Sequence, residues 1–181
     1  AGSRGFGGEL GHVLIPTALL GEMIPELKSH KTLCNCGRIG CLESLCSLTA
    51  IRKNLLPYFL QKYHNHELAS LEPAKAAIRV RGLAAEGDEM CQSIFRVQAR
   101  ALGLFFDQMI NTFDPDALII GGGAIETEQP FQQWFIAEVR KGMPTQREEQ
   151  QDIVIEIMPN GDTAGARGAA IEAQRVLVSS R

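Results

Sequence analysis

At 181 residues and 19.8 kDa, with 45% apolar and 22% charged residues, the chain has the length and composition of one globular domain with a sizeable core. A formal charge of -3 and a pI near 5.8 exclude diffuse attraction to polyphosphate, so no nucleic-acid partner is expected of this chain. No run reaches the roughly 18 apolar residues of a membrane helix, and Ala1-Gly2-Ser3-Arg4-Gly5 has neither region of a signal peptide, so a cytoplasmic chain without a membrane partner is expected.

Taken in chain order, Gly2 to Gly11 holds five glycines in ten residues, a loop in which backbone approaches something closely. With no initiator Met before it, this opening reads as the interior of a larger protein. Val13-Leu14-Ile15, stopped by Pro16, reads as a strand end, and residues 17 to 33 show no clear period. Leu45, Leu48, Ile51, Leu55 and Phe59 predict a helix from Ser44 to about Tyr63, kinked or broken by Pro57.

A second helix is expected from about Pro73 to Glu86, stopped by Gly87, and a third from Asp88 to Phe113. In the third, Asp88 is the N-cap and Ile94, Val97, Ala101, Leu104 and Phe105 form the buried stripe. After the turn Asp114-Pro115-Asp116, the run Ala117-Leu118-Ile119-Ile120 reads as a buried parallel strand that ends in Gly121-Gly122-Gly123. A helix from about Pro130 to Lys141, a strand Ile153 to Ile157 and an Ala-rich helix from Gly165 to Val178 complete a right-handed α/β unit on a parallel sheet. Trp134 and the Phe105-Phe106 pair read as core.

Five cysteines, an odd number, argue against a fully paired disulfide framework. Cys34, Cys36 and Cys41 fall within eight residues, with the turn residues Asn35, Gly37, Arg38 and Gly40 between them. Such a triad supplies three soft ligands to one tetrahedral ion, and zinc with a fourth, imidazole ligand is the expectation. His12 is the expected fourth ligand. His30 sits in Lys28-Ser29-His30-Lys31, which reads as a solvated loop, and His64 and His66 follow a helix end. The competing reading is that the three thiols are simply buried or free.

Gly8-Glu9-Leu10-Gly11-His12, followed by Cys34-Asn35-Cys36-Gly37-Arg38-Ile39-Gly40-Cys41-Leu42-Glu43, resembles the ROK family of sugar kinases and sugar-sensing repressors. Asp114-Pro115 to Gly123 and Gly165-Ala166-Arg167-Gly168-Ala169-Ala170 are similar to the family's later nucleotide-side strand and closing helix, so the likeness spans the whole chain. The resemblance implies an α/β, ribonuclease H-like lobe of the actin and hexokinase type, here the C-terminal lobe, with a zinc-binding loop and added helices. Residues 1–181 would form that single lobe: a sugar and zinc region at 1–43, a helical region at 44–113 and a nucleotide-side α/β region at 114–181.

The resemblance further implies that His12, Cys34, Cys36 and Cys41 bind structural zinc, that Glu9, His12 and Glu43 hold sugar hydroxyls, and that Gly121, Gly122 and Gly123 lie near the adenosine of ATP. Read alone, Glu9 and Glu43 are surface carboxylates, or for Glu43 a charge near the N-terminus of the helix beginning at Ser44, and a triple glycine is as readily a plain turn. The implied activity of the whole protein is phosphorylation of a hexose hydroxyl by ATP and Mg2+, of the glucokinase, fructokinase or N-acetyl hexosamine kinase type, in a homo-oligomer. The alternative is the sugar-sensing domain of a repressor.

Two departures accompany the likeness. The stretch from His12 to Cys34 is long for the family, and neither an Asp-x-Gly-x-Thr phosphate loop nor an Asn-Asp pair occurs in these residues. Asp107, Asp114, Asp116 and Asp162 lack that context, so no catalytic base is assigned and the chain alone is expected to be inactive.

Overall fold

A computed structural model describes residues 3–4, 7–122, 125–144, 148–159 and 161–179. After a 3-10 turn at Leu10–His12, helix α1 spans Thr17–Met23 and a second 3-10 turn covers Pro25–Leu27. The segment without a visible period is thus helical, because Leu20, Ile24 and Leu27 are spaced to bury one face. Val13 to Ile15 forms an antiparallel bridge at Leu14 with Cys41 instead of a strand.

Helix α2 covers only Glu43–Cys46, and α3, Leu48–Ala50, runs through a π-helical turn at Ile51–Leu55 into α4, Leu56–Lys62. The predicted helix therefore breaks at Ser47, not at Pro57. Ser47 is extended, with φ -117° and ψ 163°, and its hydroxyl caps the new helix by accepting from the Ala50 N–H at 2.9 Å. The break takes Leu48 off the buried stripe and leaves it exposed, while Leu45, Ile51, Leu55 and Phe59 are buried. Pro57, which has no N–H to donate, follows this π-helical turn, in which Leu56 N–H reaches back five residues to Ile51 O.

Helix α5, Pro73–Ala85, ends at Gly87 with φ 98°, and α6, Glu89–Phe113, is the central helix. Asp88 caps α6 by accepting from Cys91 N–H at 2.8 Å, and the predicted stripe from Ile94 to Phe105 is buried. Asp114 closes α6 in the left-handed region at φ 46°. Strand β1, Ala117–Ile120, pairs in parallel with β2, Val154–Ile157, across a connection that holds α7, Gln129–Lys141, and the short α8, Glu148–Gln151. Helix α9 spans Gly161–Ser179, starting four residues before the predicted helix.

The parallel pairing is as expected, but β1 is not buried on both faces. Leu118 and Ile120 turn into the core, whereas Ile119 is 50% exposed and Val154 on β2 is 45% exposed. Two strands alone, among the described residues, cover one face only. The core lies between α6, α5, α7 and the α3–α4 segment, with Phe95 edge-on to Phe131 and Phe135. Phe105 and Phe106 join this core, and Trp134 packs on its edge with the Arg96 guanidinium 6.0 Å from its ring. No helix among the described residues is long and apolar enough to cross a membrane.

Candidate metal centre and its surroundings

Two short backbone pairings assemble the site. Leu33 bridges Ile39, and Cys34 N–H donates to Arg38 O at 2.8 Å, which folds Cys34 to Ile39 into a tight hairpin. Gly37 turns it with φ 85°, a conformation that a β-carbon disfavours. Leu14 then bridges Cys41, with Ile15 N–H on Gly40 O at 2.9 Å and Leu42 N–H on Val13 O at 2.9 Å. The second pairing brings His12, on its 3-10 turn, back over the cysteines.

The result is a four-cornered cluster. His12 Nδ1 lies 3.6 Å from Cys34 Sγ, Cys36 Sγ lies 3.6 Å from Cys41 Sγ, and the ligand atoms of all four residues fall within 4.8 Å of one another. A tetrahedral zinc with bonds of about 2.3 Å to sulfur and about 2.0 Å to nitrogen needs edges of about 3.5–3.8 Å. The donor set and the two short edges therefore fit that ion. Cys34 and Cys41 are buried, Cys36 is exposed and His12 is half-buried.

Electrostatics separate the Cys36 and Cys41 thiols. The Arg38 guanidinium beside Cys36 brings its thiol down to about 6, so that it is a thiolate at neutral pH. Burial, with hydrogen bonds from Cys36 and Cys34, pushes Cys41 up to about 11. Arg38 also donates to His12 O at 2.9 Å, tying the hairpin to the histidine turn.

Glu43, at the first residue of α2, joins the cluster from the side. Its Oε2 is 3.7 Å from His12 Nδ1, and Gly11 packs against it closely enough that a β-carbon there would meet Glu43 Cβ at 3.5 Å. The same His12 nitrogen thus faces both Cys34 and Glu43, and Nε2 makes no hydrogen bond among the described residues. Glu9 is brought near only through backbone, its carbonyl accepting from His12 N–H at 3.1 Å, while its side chain is exposed.

The expected nucleotide loop follows β1, and Gly121 lines one cavity with Leu42, which lies between Cys41 and Glu43. Gly121 ends β1, and Gly122 turns the chain at φ 116°, its carbonyl accepting from Ile125 N–H at 3.1 Å. Gly123 lies outside the described residues. That apolar cavity, of about 290 Å³, is also lined by Ile125, Cys46, Phe95, Phe106 and Phe135.

The other histidines are otherwise engaged. His30 is not in a solvated loop: it stacks on Tyr58 at 4.0 Å and meets Asn54 O at 3.2 Å, and burial lowers its pKa. His66, Asp88 and Cys91 form a second cluster, but its groups satisfy one another. His66 Nδ1 accepts from Leu68 N–H, its Nε2 meets Asp88 at 3.0 Å, and burial drives the Cys91 thiol strongly upward. This arrangement pins the start of α6. Sequence reasoning missed Asn35, Arg38 and Lys53 as neighbours of the site; the first two read as turn residues, and Lys53 carries no signal.

The sequence profile of the ROK family matches residues 1–176. The chain belongs to the ROK family. Similar proteins include the glucokinase of Thermotoga maritima, 35% identical over 125 residues, covering 67% of this chain and 35% of that protein. The xylose repressor of Caldicellulosiruptor bescii is 29% identical over 128 residues, covering 68% of this chain and 28% of the repressor. Among solved structures, a ROK family glucokinase from Streptomyces griseus in complex with glucose and AMPPNP shares the fold, with TM-score 0.69 at 24% identity, over 93% of this chain and 52% of that one. This ROK chain spans about half the length of such relatives or less.

Proposed function

We propose that this chain is the C-terminal lobe of an ATP-dependent ROK sugar kinase that phosphorylates a hexose or N-acetyl hexosamine hydroxyl. The observation that carries the reading is the convergence of His12, Cys34, Cys36 and Cys41 with the Glu43 carboxylate beside His12. Zinc held by those four residues would supply architecture rather than chemistry: it fixes the ring of His12 and the hairpin that leads to Glu43. With Nδ1 turned to the cysteines, Nε2 is the nitrogen left for a sugar hydroxyl, and Glu43 and Glu9 accept hydrogen bonds from neighbouring hydroxyls.

Gly121, Gly122 and Gly123 would let backbone approach the adenosine of ATP, with Mg2+ on its phosphates. The general base is assigned to no residue of this chain. The active form is a homo-oligomer on this reading, and light scattering that gives a monomer mass at high concentration would overturn that part.

The kinase assignment is tested in the full-length protein by following ADP release with ATP, Mg2+ and a panel of hexoses and N-acetyl hexosamines, with zinc measured by elemental analysis. Turnover with at least one sugar and one zinc per chain is the expected result. Sugar binding without turnover would select instead a sugar-sensing repressor, the reading favoured by the likeness to the xylose repressor over 68% of the chain.

A further inference from the structure

The carboxylate of Glu43 is not left to find its own orientation. Asn35 stands between it and Lys53: Lys53 Nζ donates to Asn35 Oδ1 at 3.0 Å, and Asn35 Nδ2 donates to Glu43 Oε1 at 3.4 Å. The chemistry of the two ends dictates how the amide sits. An ammonium only donates and an ionised carboxylate only accepts, so the amide must turn its oxygen to Lys53 and its nitrogen to Glu43.

The element that carries Lys53 is itself fastened to the site. Lys53 and Asn54 lie in the π-helical turn Ile51–Leu55, a type of turn that recurs at functional sites. The Asn54 amide donates to Leu33 O at 3.1 Å and to Ser44 O at 2.9 Å. Leu33 precedes the first cysteine and Ser44 follows Glu43, so Asn54 clamps both ends of the segment that bears the ligands. Lys53 thus reaches Asn35 from a support held fixed relative to Glu43.

We propose that Lys53 is a positioning residue for the sugar site, acting through the amide of Asn35 to hold one oxygen of Glu43 and leave the other free to accept from a sugar hydroxyl. The inference rests on Glu43 being a sugar ligand. An unrestrained glutamate at a half-exposed position samples many rotamers and must lose them on binding; a relay that orders it beforehand removes that cost from the binding step. Neither Lys53 nor Asn35 needs to touch sugar or metal for this.

The test uses the zinc-loaded full-length protein, with glucose and N-acetyl-D-glucosamine as calorimetric probes. Lys53→Met should weaken binding of the preferred sugar about five- to ten-fold, the loss of one charge-assisted hydrogen-bonded link, with zinc content and unfolding temperature unchanged. Lys53→Arg should restore most of the affinity. Asn35→Asp should be as harmful as Lys53→Met, because its carboxylate can still accept from Lys53 but repels Glu43. In the Glu43→Gln background, Lys53→Met should add less than about two-fold. Equal effects of Lys53→Met with and without Glu43→Gln would overturn the relay. A Glu43→Gln variant with undiminished affinity, or no sugar binding by the unaltered protein, would instead overturn the sugar reading itself, and the relay with it.

Discussion

Arg100 on α6 grips Glu138 on α7 with two donors, Nε at 3.0 Å and Nη2 at 2.9 Å, both on the same carboxylate oxygen. Lys141 takes the other oxygen at 2.7 Å. Glu138 is buried, and burial alone would raise its pKa, but Lys141 and Arg100 outweigh it and hold the carboxyl below its ordinary value. The folded value is the depressed one, so the stabilisation is complete above the ordinary value of 4.5 and lost as pH falls through the folded value. Glu138→Ala should cost about 2–3 kcal/mol in urea unfolding at pH 7, since it strands the Arg100 charge, and the difference from the unaltered chain should shrink in acid.

Gly103 on α6 sits where α7 ends. A β-carbon there would lie 2.2 Å from Val139 O and 2.8 Å from Gly142 Cα, and one on Gly142 would lie 2.5 Å from Arg100 O. Each obstacle is backbone and cannot rotate away. Gly103→Ala should therefore destabilise by about 3 kcal/mol or more in denaturant titration, although alanine is otherwise the better helix former.

Arg38 should matter to zinc uptake in a pH-dependent way. It is the first cause of the low Cys36 value of about 6, and without it the thiol returns toward its ordinary value of 9.0. Protons then compete with metal across neutral pH but much less above pH 9. Competition with a chelator should show Arg38→Ala weaker for zinc by about ten-fold or more near pH 7, with the gap closing as pH rises. An equal gap at both pH values would count against this account.

Asp88 serves α6 as its cap and His66 as its partner. Asp88→Ala should lower stability by about 1–2 kcal/mol, and Asp88→Asn, which keeps a cap acceptor, should recover more than half. Thermal unfolding of the two variants checks this, together with amide exchange at Cys91, which should quicken only in the alanine variant.

Much of this chain can be read along its length. The period of α6, its Asp88 cap and the Gly87 stop are signals within a few residues of where they act, and the structure holds them as expected. The two apolar strands are marked by patterns equally local, and the helix between them points to their parallel pairing. The spacing of Cys34, Cys36 and Cys41 brings three sulfurs together over so short a chain that little folding is needed to join them.

Other features have no such local mark. His12 reaches Cys34 across 22 residues because the Leu14 and Cys41 bridge closes the loop between them. Ser47 breaks a helix that its neighbours favour, since its extended backbone lets its hydroxyl cap the next one. Lys53 stands 18 residues from Asn35, and Gly103 stands 36 from the Val139 carbonyl and 39 from Gly142, which crowd it. Periodicity and caps are set by neighbours on the chain, so a single sequence displays them. Meetings between distant segments depend on loop closure and packing, which no short stretch of residues encodes.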